Sequence, residues 1–437
     1  MLKGKTVAPL TLGCKVNQYE TDGMIELLKE AGMTAVSFEE KADVYLINTC
    51  SVTNMADKKS RQMIHRAKKL NPDAVVIAAG CYVQAAKDKL MEDDRISIII
   101  GNNKKKDIVQ ILEDYLQSGV TDEGMLDIAA EKEYEPLTIN STLEHTRAYV
   151  KIQDGCNQFC SYCIIPYVRG RIRSRDIASI TEEVERLAQT GVKEIVLTGI
   201  HISSYGKDKE NEVGLADAID AVSKIKSIKR IRLGSLEPGI ITDAFINRIV
   251  DNEKVCPHFH LSLQSGCNTV LKRMNRKYTC EEYFEKCEML RKVFDRPALT
   301  TDVIVGFPGE TEEEFQKTVD YLTKLNLYEM HIFKFSPRQG TVAAGMKDQI
   351  APEVKNQRSD VLLALSERNK QAYEASFSGE TLEVLVEEKI QRDGKDGYRG
   401  HTERYMDIFA EEERMHRICG RKTDIINHMV QIPYGVE

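Results

Sequence analysis

The stretch DGCNQFCSYC, from Asp154 to Cys163, holds three cysteines in the spacing C-x3-C-x2-C, namely Cys156, Cys160 and Cys163. No fourth cysteine lies nearby. Structural zinc sites and ordinary iron–sulfur clusters take four protein ligands. Three thiolates can hold three irons of a four-iron cluster, and the fourth iron then stays open to an atom of a substrate or cofactor. The spacing therefore predicts a catalytic metal cluster, and the alternative is a zinc site that a distant histidine or cysteine completes.

The composition is that of a soluble chain with more than one domain. Its 437 residues exceed one ordinary hydrophobic core, and 42% hydrophobic with 30% charged residues is typical of globular proteins. The N-terminus, MLKGKTVAPLTLGC, lacks the apolar segment of a signal peptide, and no apolar run is long enough to span a membrane. Eleven cysteines in such a chain indicate a reducing compartment, so we expect a cytoplasmic protein with no membrane partner. The net charge of −7 argues against indiscriminate binding to polyanions.

The order of strand-like and helix-like segments predicts three domains. Residues 1–118 alternate short apolar strands with amphipathic helices, which predicts a parallel α/β sheet. Residues 119–146 are polar and aperiodic, and we interpret them as a linker. Residues 147–375 contain six β/α units and a final helix, which predicts a partial, TIM-like (β/α)6 barrel. Residues 376–437 carry short strands between turns and predict a small all-β domain.

A second set of three cysteines lies in the first domain, in the segments TLGC, INTC and AAGC. Cys14, Cys50 and Cys81 each follow a different predicted strand. Because the carboxyl ends of parallel strands share one edge of a sheet, we expect these thiols to meet and to hold a second iron–sulfur cluster, again with one open iron. The alternative is three unrelated buried thiols. The other five cysteines have no compact ligand spacing and are interpreted as structural: Cys256, Cys267, Cys280, Cys287 and Cys419.

Polar residues also follow several strands of the predicted barrel, at the rim where such folds build active sites. Serine, glutamate and glutamine can bond ribose hydroxyls and amino-acid groups, and glycine permits close approach of the backbone. The alternative role of each is a turn or a helix cap. The predicted cofactor-binding residues at this rim are Gly199, His201, Ser235, Glu237, Gln264 and Ser265. Gly306 and Gly309, in DVIVGFPGET, either line the same pocket or shape a turn.

The cysteine triplet after the first strand of a partial barrel resembles the radical S-adenosylmethionine superfamily. Two open clusters on adjacent domains resemble, more specifically, its methylthiotransferase family, over essentially the whole chain. The motifs that carry this resemblance are TLGCKVNQYETD, INTCSVT, AAGCYVQ, IQDGCNQFCSYCIIPYVRGRIRSR and HLSLQSGCNTVLKRMNR. The resemblance implies two [4Fe-4S] clusters and S-adenosylmethionine, used both as a methyl source and as a radical source. It also implies that Tyr162 lies near the adenine of that cofactor, and the alternative for Tyr162 is hydrophobic packing.

The resemblance further implies a substrate and partners. GCKVN, together with a tail similar to the RNA-binding TRAM domain, is similar to members that methylthiolate C2 of N6-threonylcarbamoyladenosine beside the tRNA anticodon. We expect tRNA and a reductant such as a flavodoxin or ferredoxin as partners, with a monomer as the default state. The rival substrates are isopentenyladenosine in tRNA and an aspartate of a ribosomal protein. A non-catalytic metal-cluster module that binds RNA is the rival of another class. No catalytic residue beyond the cluster ligands is predicted.

The segment VRGRIRSR carries the predicted substrate contacts, Arg169, Arg171, Arg173 and Arg175. Alternation along an extended segment would place all four guanidinium groups on one side, where they could bind phosphate. The alternative is a set of ion pairs with the nearby barrel helices. A second basic run, Lys104 to Lys106, is interpreted as the solvated start of a helix.

The tail contributes little by its net charge, because residues 377–437 contain nine Lys and Arg against thirteen Asp and Glu. Any RNA contact there must come from a local face, for which Tyr398, Arg399, Arg404 and Tyr405 are the candidates.

Overall fold

A computed structural model describes residues 1–120, 125–140, 146–210, 212–420 and 425–435, apart from the side chain of Lys89. Its N-terminal part is a parallel five-stranded sheet in the order β2-β1-β3-β4-β5. The strands are β1 (Thr6–Thr11), β2 (Thr34–Ala35), β3 (Val44–Thr49), β4 (Val75–Gly80) and β5 (Ile98–Ile100). The helices are α1 (Lys15–Glu30), α2 (Asn54–Leu70), α3 (Cys81–Ala85), α4 (Lys87–Met91) and α5 (Ile108–Ser118). The predicted parallel sheet is confirmed, and only the two-residue β2 was missed.

The sheet is apolar on both faces because helices cover both. Along β3, VYLINT, every residue is buried. Tyr45 and Ile47 pack on one side with Ile64 of α2, while Val44 and Leu46 pack on the other with helices α1 and α5. This burial on both faces produces the continuous apolar runs from which the parallel sheet was predicted.

The segment after α5 is ordered where the structure describes it, although residues 125–140 contain no helix or strand. Leu137 and Ile139 are buried in the core of the following barrel. The Tyr134 hydroxyl donates a hydrogen bond to the Lys151 carbonyl oxygen at 2.8 Å. The predicted linker therefore packs between the two halves of the molecule as a fixed connector; its residues 121–124 and 141–145 lie outside the described residues.

The middle of the chain forms the predicted partial barrel. Parallel strands follow the order β6-β8-β9-β10-β11-β12, with β7 added antiparallel to β6 and with bridges from Ile231 to Val255 and from Leu236 to Leu261 joining β9 to β10. The strands are β6 (Arg147–Asp154), β7 (Arg173–Ser174), β8 (Glu194–Gly199), β9 (Arg230–Leu233), β10 (His258–His260), β11 (Ala298–Val305) and β12 (Glu329–Lys334). The helices are α6 (Ile165–Arg169), α7 (Ile177–Gln189), α8 (Leu215–Ser223), α9 (Asp243–Ile249), α10 (Asn268–Arg273), α11 (Cys280–Val293), α12 (Glu312–Leu325) and α13 (Pro352–Ala375).

The two faces of the barrel strands differ in chemistry. Apolar residues such as Ile195, Leu197 and Phe259 belong to the core between strands and outer helices. Because side chains alternate along a strand, positions such as Arg232 and His258 point to the other face, the interior of the barrel, which we call the lumen. His258 lies within electrostatic range of Arg232, His260 and His331. The lumen is therefore polar and charged, whereas the helix side is apolar.

The C-terminal part is a curled antiparallel sheet in the order β15-β14-β13-β16. Its elements are β13 (Thr381–Arg392), β14 (Lys395–Thr402), β15 (Asp407–Glu411), α14 (Glu412–Cys419) and β16 (Met429–Pro433). The small β domain is thus present, with helix α14 as an addition that the strand pattern missed. Residues 421–424 and 436–437 of the predicted domain lie outside the described residues. In the part of the chain that the structure covers, no helix is long and apolar enough to cross a bilayer.

The Tyr405 side chain lies at the contact between this sheet and the barrel. Its ring lies 5.3 Å from the His258 ring and 4.6 Å from the His401 ring, between centroids. The guanidinium carbons of Arg147 and Arg232 lie 4.9 and 4.8 Å from the same centroid. The prediction that Tyr405 offers a stacking surface to RNA is wrong in this structure, because the ring already lies among barrel residues.

The other predicted RNA contacts of the tail are also occupied. Arg404 donates to the carbonyl oxygens of Asp295 and Arg296, and Arg399 pairs with Asp407 at 3.0 Å. Tyr398 is buried in the core of the C-terminal sheet. Arg404 and Tyr398 therefore serve docking and folding of this sheet, whereas the RNA contact of Arg399, which is still partly exposed, stays a prediction.

Candidate active site

The predicted triad Cys156, Cys160 and Cys163 lies on the loop that follows β6. Gly155 has a φ of +71°, and a Cβ there would lie 1.8 Å from the Arg171 carbonyl oxygen, so only glycine fits this turn. The Arg276 guanidinium donates to the Cys160 sulfur at 3.2 Å. Burial raises the pKa of Cys156 to about 11 and that of Cys163 to about 12. Such thiols ionise readily only when a cation binds them, which suits metal ligands.

Two of the predicted cofactor residues reach this triad through Arg276. The His201 ring bonds Glu237, the Glu237 carboxylate pairs with Arg276 at 3.3 Å, and Arg276 contacts the Cys160 sulfur. His201 and Glu237 also line a cavity of about 690 Å³, together with Gln158. Arg276 was missed by the sequence analysis, although it lies at the end of the quoted motif HLSLQSGCNTVLKRMNR.

The other residues predicted to lie near the cofactor differ in their exposure and contacts. Ser235 is exposed at the rim. Gln264 is nearly buried, and its backbone has a φ of +76°. A Cβ at Gly199 would lie 2.8 Å from the Gln153 carbonyl oxygen, so this glycine allows β8 to approach β6. Tyr162 packs on an apolar cluster beside the triad. For Ser235, Gln264, Gly199 and Tyr162, contact with the cofactor stays a prediction.

The prediction that Ser265 binds the cofactor is wrong. It is fully buried, and its hydroxyl accepts a hydrogen bond from the Cys267 amide at 3.3 Å, at the start of α10. Gly306 and Gly309 have φ values of +70° and +73°, and the Gly306 amide bonds Glu310. These residues shape turns, as their alternative interpretation stated.

The second predicted triad comes together at the edge of the N-terminal sheet. Cys14 caps the start of α1, Cys50 follows β3, and Cys81 begins α3. Gly13 has a φ of +104°, and a Cβ on it would lie 2.8 Å from the Cys50 sulfur. Asn17 joins the first two loops, since its amide donates to the carbonyl oxygens of Leu12 and Thr49.

The electrostatics of the second triad match those of the first. Burial raises the pKa of Cys14, and it raises the pKa of Cys50 to about 12. Each of these two thiols lies within electrostatic range of Cys81. Arg169 donates from Nε to the Cys81 sulfur at 3.2 Å, as Arg276 does at Cys160. Each triad therefore combines two buried cysteines and one more accessible cysteine, Cys14 or Cys163, with one guanidinium donor. This donor set fits an anionic iron–sulfur cluster.

Arg169 belongs to both halves of the molecule. It ends helix α6, six residues beyond Cys163, and it is fully buried. Besides Cys81 it contacts Glu20 at 2.8 Å and Asp154 at 3.1 Å. Ile164, which follows Cys163 directly, packs with Cys81 in one apolar cluster. Ile164 and helix α6 therefore connect the barrel triad to Cys81 of the N-terminal triad.

The predicted row of four substrate-binding arginines is wrong. Arg169 is helical, and Arg173 on β7 is fully buried beside Asp154. Arg175 pairs with Glu183 at 2.9 Å. The antiparallel pairing of β7 with β6 turns the segment inward. The alternative of ion pairs with barrel helices holds for Arg175, whose partner Glu183 lies on α7, whereas Arg169 and Arg173 pair with Glu20 of α1 and with Asp154 of β6. Arg171 alone is exposed, with its guanidinium carbon 4.6 Å from the Phe159 ring centroid.

A buried charge cluster surrounds Arg169. Lys105 and Lys151 bond Glu20 at 2.6 and 2.7 Å, and Lys151 bonds Asp154 at 2.6 Å. Although burial raises it, the pKa of Glu20 lies well below its usual value because Arg169, Lys105 and Lys151 surround the carboxylate. The interpretation of Lys105 as a solvated helix start is wrong, since it is fully buried in this cluster.

A further group in the lumen was not predicted. His260, Asp302 and His331 come from three neighbouring strands, and their potential ligand atoms all lie within 4.8 Å of one another. The His260 and His331 rings stack at 5.6 Å. The alternation of side chains along β10, β11 and β12 could show that each of these residues points inward. It could not show that the three side chains lie at the same height in the barrel.

Comparison with known proteins gives two family matches. Residues 150–322 match the Radical SAM superfamily, and residues 6–101 match a family described as uncharacterized protein family UPF0004. The second range corresponds to the N-terminal sheet, and the first corresponds to most of the barrel.

Curated relatives cover nearly the whole chain. It is 42% identical to the threonylcarbamoyladenosine tRNA methylthiotransferase MtaB of Bacillus subtilis, over 92% of this chain and 90% of that one. It is 40% identical to the enzyme of the same name from Aquifex aeolicus, over 93% and 96%. It is 35% identical to a tRNA-2-methylthio-N(6)-dimethylallyladenosine synthase from Thermodesulfovibrio yellowstonii, over 94% of each.

Among solved structures, the radical S-adenosylmethionine methyltransferase TsrM from Kitasatospora setae shares the fold. The TM-score is 0.57 at 15% identity, covering 78% of this chain and 77% of that one. That structure contains cobalamin and a [4Fe-4S] cluster.

Proposed function

This chain belongs to the methylthiotransferase family of radical S-adenosylmethionine enzymes, and we propose that it places a methylthio group on C2 of N6-threonylcarbamoyladenosine beside the tRNA anticodon. Its general class is that of a tRNA methylthiotransferase with S-adenosylmethionine and a [4Fe-4S] cluster. The proposal adds the particular nucleoside, the second cluster and the residues that hold each group.

One observation carries the proposal: two cysteine triads, on two separate sheets, are connected by Ile164 and the short helix α6. Cys163 is followed by Ile164, which packs on Cys81, and Arg169 at the far end of α6 contacts the Cys81 sulfur. A lone radical cluster would need none of the N-terminal triad. The pair gives one site for generating a radical and a second for presenting sulfur.

We assign one [4Fe-4S] cluster to each triad, with S-adenosylmethionine beside the barrel triad and within the cavity that His201 and Glu237 line. When bound, these groups supply the electron transfer and radical chemistry that an unreactive aromatic C–H bond requires. The chain orients them: Arg276 and Arg169 each donate to a cysteine sulfur. Four of the six cysteines are buried, namely Cys50, Cys81, Cys156 and Cys160, and this burial limits the access of water to a reactive centre.

An exposed patch beside the barrel triad suits the RNA. Phe159 and Tyr167 have ring centroids 5.6 Å apart, and Arg171 lies over the Phe159 ring. Tyr167 is 49% exposed. Unpaired bases stack on aromatic and guanidinium planes, and arginine also binds phosphate. We propose that this patch contacts the anticodon loop, and that a flavodoxin or ferredoxin supplies electrons to a monomeric enzyme.

Nucleoside mass spectrometry of tRNA from cells that lack the gene tests the substrate. We expect the methylthiolated threonylcarbamoyladenosine to disappear, its unmethylthiolated precursor to accumulate, and an introduced copy of this chain to restore the product. Dimethylallyladenosine is the second candidate, because a relative with 35% identity carries that name. Loss of the methylthiolated dimethylallyl nucleoside, with the threonylcarbamoyl product intact, would reject our assignment.

A further inference from the structure

His260, Asp302 and His331, which we call the lumen group, lie on the inner face of three adjacent parallel strands. The residue beside each of them on its strand belongs to the core between strands and outer helices, namely Phe259, Val303 and Met330. Because side chains alternate along a strand, the members of the lumen group point to the opposite face. Asp302 and His331 are register partners, and His260 is the partner of Thr300 on β11. Their potential ligand atoms therefore meet inside the barrel, all within 4.8 Å of one another.

The two ring nitrogens of His260 have different surroundings. Nδ1 lies at hydrogen-bond distance from the Thr300 hydroxyl, 3.0 Å away, and this contact orients the ring. Nε2 is enclosed by the protein and, in the part of the chain that the structure describes, has no hydrogen-bond partner. An enclosed nitrogen without a partner costs free energy. A histidine that donates from Nδ1 presents the lone pair of Nε2, which is the usual arrangement of a histidine that binds a metal.

The pair formed by His260 and Asp302 differs from the other histidine–carboxylate pairs of the chain. His201 forms a hydrogen bond to Glu237, and His401 lies 2.9 Å from Glu387 in hydrogen-bonding geometry. His260 Nε2 lies 3.3 Å from Asp302 Oδ2 and forms no hydrogen bond to it. The two atoms therefore approach each other without the alignment of an ion pair that is held by a shared proton.

The spacing of these atoms fits two ligands of one metal ion. Ligands that are each about 2.0 to 2.1 Å from a tetrahedral zinc ion lie about 3.3 Å apart. His260 Nε2 and Asp302 Oδ2 have this separation. The His331 ring stacks on the His260 ring at 5.6 Å between centroids, and its side chain is exposed. Rotation of this exposed side chain about its own bonds closes the remaining gap to the other two ligands.

We infer that the lumen group binds one divalent transition-metal ion, with zinc as the matching ion and with a further coordination position open to the barrel interior. Two imidazoles and one carboxylate are an established ligand set for such ions, and three protein ligands leave room for water or a substrate oxygen. The lumen group contains no cysteine, so this ion is separate from the two proposed clusters. The site adjoins the cofactor end of the barrel, because the Gln264 amide donates to the Asp302 carbonyl oxygen at 2.9 Å.

Zinc uptake by the anaerobically reconstituted holoenzyme tests this inference without any need for turnover. Zinc is the probe because a site of this kind binds it more tightly than ferrous iron. We compare the wild type with His331→Ala, Asp302→Asn and Thr300→Val, and with His65→Ala as a control on another exposed histidine. Equilibrium dialysis against buffered zinc gives the affinity, and mass spectrometry quantifies zinc and iron. Unchanged iron verifies that the cysteines still hold their clusters and that each variant is folded.

The wild type should bind about one zinc ion per chain. Thr300→Val should weaken zinc binding about 10-fold, because loss of a group that orients a ligand has an effect of this size. His331→Ala and Asp302→Asn each remove a ligand and should weaken binding about 100-fold or more, whereas His65→Ala should leave it unchanged. A wild type that takes up no zinc, or zinc uptake that persists unweakened in His331→Ala and Asp302→Asn, overturns the inference. Neither result affects the proposed function, which does not depend on this ion.

X-ray absorption at the zinc edge is a second measurement and needs no variant. In the zinc-loaded wild type we expect nitrogen and oxygen ligands at about 2.0 to 2.1 Å and no sulfur at about 2.3 Å. A sulfur shell would place the zinc on cysteines and would contradict its assignment to the lumen group.

Discussion

Replacement of Arg169 by methionine tests whether this residue supports the N-terminal triad. The side chain contacts four partners, Glu20, Asp154, Asn17 and the Cys81 sulfur, at distances from 2.7 to 3.2 Å. After Arg169→Met, Glu20 and Asp154 both keep Lys151, so neither carboxylate is left unpaired. The Asn17 oxygen and the cysteine sulfur, by contrast, lose this donor.

The expected loss in the free energy of unfolding is about 3 kcal/mol, the lower end of the range for breaking a buried ion pair, because the carboxylates retain a partner. Arg175→Met is the matched control. Arg175 is also buried and links α1 to the barrel, through Tyr19 at 3.1 Å and Glu183 at 2.9 Å, but it contacts no cysteine. Urea unfolding under anaerobic conditions measures the stability of both variants.

The two variants should differ in iron. Two four-iron clusters give about eight irons per chain, and Arg169→Met should retain about four, since the barrel triad keeps Arg276. Arg175→Met should retain about eight. Full iron content in Arg169→Met, or equal losses in both variants, would refute a specific role for Arg169 at the N-terminal triad.

Three further predictions concern docking, pH and RNA. Tyr405→Ala removes the ring between Arg147 and Arg232, so protease cleavage between the barrel and the C-terminal sheet should become faster; an unchanged cleavage rate would show that the ring does not fasten the sheet. The Glu20 carboxylate, held ionised by its cations, has a pKa well below normal although burial alone would raise it; its stabilisation is complete above about pH 4.3, the unfolded value, and is lost as the pH falls toward the folded pKa. Urea titrations should therefore show a smaller acid loss of stability between about pH 4.3 and 3 in Glu20→Gln, and equal slopes would contradict the cluster. Arg171→Ala should weaken tRNA binding about 5-fold and reduce its salt dependence, measured by anisotropy against salt concentration, whereas an unaltered salt slope would exclude a phosphate contact.

The sequence predicted features that depend on periodicity and on strand ends. Cys14, Cys50 and Cys81 are far apart in the chain, but the rule that parallel strands share a carboxyl edge was enough to bring them together. The cysteine triplet after β6 likewise follows from local spacing. The six β/α units and helix α13 were found because each carries its own amphipathic pattern.

Contacts between distant elements could not be predicted. The arginine row failed because β7, Arg173–Ser174, is too short to show strand periodicity, and its pairing with β6 turns the side chains inward. Lys105 looked solvated because nothing local showed that Glu20 would lie 2.6 Å away. Tyr405 looked available to RNA because its position among barrel residues is set by docking of the C-terminal sheet, which local sequence does not report.

The most direct test of the account follows both chemistries in one reaction. Reconstituted enzyme, S-adenosylmethionine, dithionite and tRNA carrying threonylcarbamoyladenosine are combined anaerobically, and mass spectrometry quantifies 5′-deoxyadenosine and the methylthiolated nucleoside. The wild type should form both. A variant with Cys14, Cys50 and Cys81 all changed to alanine should keep about four irons and still form 5′-deoxyadenosine, but no methylthiolated nucleoside. Formation of that nucleoside by the triple variant would contradict the assignment of sulfur presentation to the N-terminal triad.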